Sequence, residues 1–127
     1  MSWVFYNANP AGLHTDDCVI RAISTIQNDS WDNTFYELCR QGAEMHDMPD
    51  KNKVWSKYLM DKGYTRHHVP FSCPGCFSII AFCEYFNRGR FIVATGEHVV
   101  AVIDGDYYDT WDSGDEVPQF YWTKGAR

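Results

Sequence analysis

The hydrophobic period of the chain changes near its middle, and this change constrains the fold more than any other feature. In the first half, apolar residues recur at every third or fourth position, which is typical of helices. In the second half, short segments rich in β-branched and aromatic residues are separated by Gly and Asp turn signals, which is typical of strands. The order predicts an α+β fold in which N-terminal helices pack on a C-terminal antiparallel sheet.

End signals predict where the individual elements lie. We expect a helix that begins at Cys18, a second after Ser30, a third between Asp50 and Gly63, and a fourth over about 77 to 87. The predicted strands cover 64–69, 90–94, 98–103, 107–111 and 119–122, and a loop that contains Pro and Gly covers 70–75.

Length and composition limit the possible classes of protein. The 127 residues suit one domain over residues 1–127, and the 45% of hydrophobic and 17% of aromatic residues predict that the whole chain folds. The net charge is −6 and the 11 Lys and Arg residues are scattered, so nucleic acid is not an expected partner. No apolar run reaches the roughly 18 residues of a membrane span, so we expect no membrane partner.

The five cysteines are an odd number at irregular spacing, which fits reduced thiols better than a disulfide framework. A cytoplasmic location is therefore expected. Cys73 and Cys76 follow His67 and His68 with the spacing of half a zinc site, but no matching second half is present. We expect a surface loop there, and no metal.

Cys18 lies where a helix begins. Thr15, Asp16 and Asp17 are all suitable N-cap residues, so Cys18 falls in the first helical turn, beside free amide groups and the positive end of the helix dipole. This position favours the thiolate, whereas the negative charge of Asp17 opposes it. Arg21 lies four residues after Asp17 and is predicted to pair with it.

Two strands joined near Asp104-Gly105 bring His98 close to an aspartate. With a three-residue loop, His98 lies opposite Asp112 and both side chains share one face of the sheet. With a two-residue turn, Asp109 instead becomes the diagonal neighbour of His98 on that face. We predict the three-residue loop and Asp112 as the carboxylate that orients His98, with Asp109 as the alternative.

A cysteine, a histidine and a carboxylate in this order resemble the papain-like cysteine peptidase superfamily. The segments Asn9 to Ile23 and Tyr107 to Asp112 are similar to motifs of its small phage- and prophage-type bacterial members. Asp109-Thr110-Trp111 also resembles the Asn-Ser-Trp segment of papain. The resemblance implies a papain-like fold and a cysteine hydrolase that cleaves peptide or isopeptide bonds through a thioester, with a protein or peptide substrate and no cofactor. The implied catalytic residues are Cys18, His98 and Asp112.

The chain departs from the family at the residues that would stabilise the oxyanion. The Cys-Gly-Ser-Cys-Trp signature is absent, and Gly12 stands six residues before the cysteine, where papain-type enzymes have Gln. The remaining oxyanion-hole candidates are the backbone N–H of Cys18 and a side-chain amide from Asn7 or Asn9.

Two other functions remain open at this level. If an amine replaces water in the second step, the same residues act as a transglutaminase-like acyl transferase. A non-catalytic protein-binding factor on the same fold is the other alternative. Substrate specificity and oligomeric state do not follow from the sequence.

Overall fold

The computed structural model describes residues 2–69 and 77–124, which contain four helices and one six-stranded sheet. This arrangement confirms the predicted α+β class. No helix in these two ranges is long and apolar enough to cross a membrane. The helices are α1 (Cys18–Gln27), α2 (Trp31–Met45), α3 (Asn52–Asp61) and α4 (Ile79–Tyr85). The strands are β1 (Trp3–Phe5), β2 (Tyr64–His68), β3 (Arg90–Ala94), β4 (Val99–Ile103), β5 (Asp106–Asp109) and β6 (Phe120–Lys124).

The predicted strands pair antiparallel, but the sheet as a whole is mixed, which corrects the expectation of an antiparallel sheet. Its strand order is β1-β5-β4-β3-β6-β2, and β1 runs parallel to β5 with Phe5 opposite Asp109. The strand β1 was not predicted, because three residues are too short to show an alternating pattern. Its pairing covers the edge of β5 and binds the N-terminal segment to the strand that carries Asp109.

Side-chain caps explain where two helices begin. The Ser30 hydroxyl accepts a hydrogen bond from the Asn33 N–H at 3.0 Å, and Ser78 caps α4 in the same way. Asp17 occupies the N-cap position of α1 without a capping hydrogen bond, which leaves its carboxylate free for other partners.

The sheet buries side chains on both faces. Because neighbouring residues of a strand point to opposite sides, Ile92 and Val99 join one core with α1, α2 and α3, whereas Phe91 and Val100 join a second core with α4. Full burial of side chains of this size contributes about 1.5–3 kcal/mol each. The central strands β3 and β4 are therefore held firmly, and α1 packs against β4.

A two-residue turn joins β4 to β5. Ile103 pairs with Asp106, so only Asp104 and Gly105 form the turn, and both have positive φ, at 50° and 84°. Two central residues with positive φ are the signature of the mirror-image turn that suits the twist of a hairpin. The predicted three-residue loop is wrong, and the register moves by one residue.

Candidate functional site

Cys18 is the first residue of α1, and its side chain is half-buried at the edge of a cavity. The first N–H groups of a helix have no acceptor within the helix. In α1 the first N–H that bonds to a carbonyl one turn earlier is that of Arg21, which donates to the Asp17 carbonyl at 2.8 Å. The amides of Cys18 and Val19 therefore lie at the positive end of the helix, beside the sulfur.

His98 immediately precedes β4, where a tight turn positions its backbone. Its N–H donates to the Thr95 hydroxyl at 3.1 Å, and its carbonyl accepts from the Thr95 N–H at 2.8 Å. Because α1 packs against β4, this position brings the imidazole ring to the same cavity as Cys18.

Asp109 is the carboxylate that meets His98. The His98 Nε2 lies 2.6 Å from Asp109 Oδ2, which also accepts from the Ser113 hydroxyl at 2.7 Å. The other oxygen, Oδ1, accepts from the Thr110 N–H at 2.8 Å and from Arg21 Nη1 at 3.0 Å. Burial raises the pKa of Asp109, but these hydrogen bonds, with that of His98 the largest, outweigh burial and hold the pKa below its usual value. Asp109 is therefore an ionised, fully hydrogen-bonded carboxylate.

The predicted pairing of His98 with Asp112 is corrected to the pairing with Asp109. Asp112 instead accepts hydrogen bonds from the Tyr107 hydroxyl and from the Gly114 N–H. The cause is the register of the hairpin: with Ala101 opposite Tyr108, residue 98 falls opposite Trp111, and Asp109 is its diagonal neighbour.

The His98 ring contacts Asp109 and borders the same cavity as Cys18. Burial lowers the pKa of His98, but the hydrogen bond to Asp109 and the side-chain interaction with Cys18 outweigh burial and raise the pKa to about 9. Since Nε2 is bound to Asp109, Nδ1 is the nitrogen left for the thiol. The geometry therefore favours an imidazolium that stays charged at neutral pH and can stabilise a thiolate.

The cavity beside the sulfur has a volume of about 600 Å³. Trp111 borders it, and its ring centroid lies 5.0 Å from that of His98. Four aromatic side chains and several exposed charged side chains are among the cavity lining. The aromatic lining residues are Trp55, Trp111, Phe120 and Trp122. The exposed charged lining residues are Asp16, Asp50, Arg66 and Glu97.

The structure does not bring Asn7 or Asn9 to the cavity lining. The Asn7 amide donates to the Leu13 carbonyl at 3.1 Å, and the Asn9 amide donates to Asp17 Oδ2 at 3.4 Å. Of the three predicted oxyanion-hole candidates, the backbone N–H of Cys18 is the one beside the cavity. Gln119 also lines the cavity and carries an amide, but no sequence pattern pointed to it.

Arg21 has a contact that sequence reasoning missed. The predicted pair with Asp17 is present, with Arg21 Nε 2.8 Å from Asp17 Oδ1. The same guanidinium also reaches Asp109, which lies 88 residues further along the chain. Helical spacing reveals a partner four residues away, but it contains no signal for a partner on a distant strand.

Within residues 2–69 and 77–124, no group of three or more His, Cys, Asp and Glu side chains is placed to hold a metal ion. The predicted surface loop with Cys73 and Cys76 lies outside these residues.

No protein-family model, curated protein or solved structure matches the chain.

Proposed function

We propose that this protein is a cysteine hydrolase of peptide or isopeptide bonds, with Cys18 as nucleophile, His98 as acid and base, and Asp109 as the residue that orients His98. The observation that carries the proposal is that Cys18 and His98 border one cavity, and that the His98 imidazole meets the Asp109 carboxylate at 2.6 Å. A nucleophilic thiol needs such a base, and the base needs a third group that fixes its orientation.

The first half of the reaction forms a thioester. The Cys18 thiolate attacks the carbonyl carbon of the substrate, and the N–H groups at the start of α1 stabilise the negative oxygen that results. As the C–N bond breaks, His98 donates its Nδ1 proton to the leaving amine. Asp109 keeps the ring in place through Nε2 during this transfer.

The second half regenerates the thiolate. Neutral His98 removes a proton from a water molecule, whose oxygen attacks the thioester carbon. The C–S bond then breaks, the acid product leaves, and His98 is again an imidazolium beside a thiolate. If an amine takes the place of water, a new amide forms, so the nature of the second acceptor separates hydrolysis from acyl transfer.

We also propose that the fold is papain-like and that the chain is a small phage- or prophage-type member of that superfamily. The position of a cysteine at the head of an N-terminal helix, with the histidine directly before β4 and the acid at the end of β5, supports this assignment. A reducing compartment such as the cytoplasm would suit the site, since Cys18, Cys39 and Cys83 are free thiols.

Labelling with an electrophilic peptide probe for cysteine peptidases tests the proposed nucleophile. We expect one label per molecule, at Cys18, at neutral pH. Cys18→Ala abolishes labelling, and His98→Ala slows it at least tenfold because the thiolate loses its counter-ion. Cys39→Ala is the matched control: Cys39 lies on α2, is also partly exposed, and is absent from the cavity lining, so labelling is unchanged.

Two outcomes would contradict the proposal. One is an unlabelled Cys18 with the label spread over Cys73 and Cys76, which would favour a non-catalytic binding protein. The other is equal labelling of the wild type and the folded His98→Ala variant. With a peptide library as substrate, mass spectrometry of the products then distinguishes cleaved peptides from peptides joined to an added amine.

A further inference from the structure

The guanidinium of Arg21 lies between two buried carboxylates next to the proposed catalytic residues. Nε is 2.8 Å from Asp17 Oδ1, and Nη1 is 3.0 Å from Asp109 Oδ1. The exposed fractions of the side chains are 11% for Arg21, 5% for Asp17 and 1% for Asp109. Charges this far from water interact strongly, because water screens them little.

Arg21 connects the two elements that carry the site. It lies on α1, three residues after Cys18, and Asp109 is the last residue of β5. Through Asp109 the contact continues to His98, so a single chain of side chains joins the helix of the nucleophile to the imidazole. Trp31 Nε1, which donates to Asp17 Oδ2 at 3.0 Å, fixes the far end of this chain.

Before a thiolate forms, the charges of the site balance only if Arg21 is counted. Asp17 and Asp109 carry two negative charges, and Arg21 and the His98 imidazolium carry two positive ones. A Cys18 thiolate then adds the only uncompensated charge of this buried group. Without Arg21 the thiolate would be a second uncompensated negative charge, which is costly in a buried place.

We infer that Arg21 is a positioning residue of the site: it holds α1 to β5 and supplies the positive charge that allows a thiolate at Cys18. The inference rests on the proposed function. A lysine cannot fully replace it, because one ammonium group cannot match a planar fork that donates to two carboxylates in different directions.

Other titratable groups face the cavity as well. They are exposed, so water and salt screen them, in contrast to Arg21. They are His14, Asp16, Asp50, Arg66 and Glu97. Arg66 is the arginine of the cavity lining besides Arg21. Its guanidinium lies over the Phe120 ring, 4.7 Å from the centroid.

The pH dependence of Cys18 alkylation by iodoacetamide, followed by peptide mass spectrometry, tests the inference without a substrate. In Arg21→Gln we expect the midpoint of the alkylation profile to move to higher pH by about one unit, because thiolate formation loses a buried cation of the site. Arg21→Lys should restore about half of the shift. Asp17→Asn should move the midpoint to lower pH, because it removes one of the two carboxylates that Arg21 neutralises.

Arg90→Gln is the matched control. Arg90 also ties α1 to a strand, through hydrogen bonds of 3.0 Å to the Thr25 and Ile26 carbonyls, but at the opposite end of the helix. Its loss should lower stability and leave the midpoint unchanged.

Two results are informative in different ways. If the midpoint stays in place in both Arg21→Gln and Asp17→Asn, Arg21 serves stability alone and the inference is wrong. If wild-type Cys18 itself reacts with a profile that His98→Gln leaves unchanged, the proposed function fails instead. The first result leaves the Cys18–His98 pair intact, so the two failures are distinguishable.

Discussion

Both carboxylate oxygens of Asp109 accept two hydrogen bonds each, and the donors come from α1, from the residue before β4 and from the loop after β5. A single residue therefore holds three parts of the chain together. The sequence narrowed the partner of His98 to Asp109 or Asp112. The prediction of Asp112 was wrong because the choice depends on one residue of register, and Asp and Gly are common in turns of both lengths.

The titration of His98 is a prediction at the residue scale. By NMR we expect the pKa of His98 near 9 in the wild type, well above its ordinary value of 6.5. Asp109→Asn should lower the pKa of His98 more than Cys18→Ala does, because the hydrogen bond to Asp109 is the largest of the causes that raise it. The His98→Gln variant identifies the signal. An ordinary pKa in the wild type would contradict the observed contacts.

The same groups predict how stability depends on pH. Because the pKa of His98 is raised in the folded state, its contribution to stability is fully present below pH 6.5 and is lost as the pH rises through about 9. Because the pKa of Asp109 is lowered in the folded state, its contribution to stability is present above pH 3.8 and is lost as the pH falls through that lowered pKa. Urea unfolding should therefore show wild-type stability falling between pH 6.5 and 9, by on the order of 3 kcal/mol. A fall of the same size in His98→Gln would contradict this.

At the scale of elements, the turn between β4 and β5 decides which side chains meet. Its two residues with positive φ set the register that brings Asp109 to His98. The edge of β5 is then held by β1, because the Tyr6 N–H and the Trp3 Nε1 both donate to the Asp109 carbonyl at 3.1 Å. The helices could be predicted well, since capping serines and apolar spacing act within a few residues. The strand β1 could not, since its pairing with β5 is a contact between distant parts of the chain.

Gly105→Ala tests the role of the turn. We expect the free energy of unfolding to fall by about 1–2 kcal/mol, because a residue with a Cβ atom is strained at a φ of 84°. The added Cβ would also lie 3.4 Å from the Cys83 carbonyl oxygen. Gly105→Asn adds the same Cβ but tolerates positive φ, so it should lose less stability in urea unfolding. Equal losses in the two variants would assign the effect to crowding instead of backbone strain.

At the scale of the whole molecule, the net charge of −6 is combined with three exposed carboxylates in the cavity lining. Asp16, Asp50 and Glu97 are exposed there, against the one positive charge of Arg66. The resulting negative potential attracts cations to the mouth of the cavity and repels anions. Composition alone indicated an acidic protein, but it did not indicate which negatively charged side chains lie at the cavity.

The charge of a thiol reagent should therefore affect its rate of reaction with Cys18. At low ionic strength we expect a cationic methanethiosulfonate to modify Cys18 about tenfold faster than an anionic one, with the ratio falling as salt is added. Glu97→Gln should reduce the ratio, and Cys39, which is absent from the cavity lining, provides the baseline. Equal rates of the two reagents at Cys18 would contradict the prediction.

What the sequence determined by itself was local: the helix that Cys18 heads, the capped start of α2, the Asp17–Arg21 pair and the hairpin that His98 leads. These features depend on neighbours a few residues apart, so periodicity and capping reveal them. Only the tertiary structure decided that Asp109 and not Asp112 meets His98, that β1 closes the sheet edge, and that Arg21 reaches Asp109. Those contacts depend on strand register and on packing between distant segments, for which a single sequence carries no periodic signal.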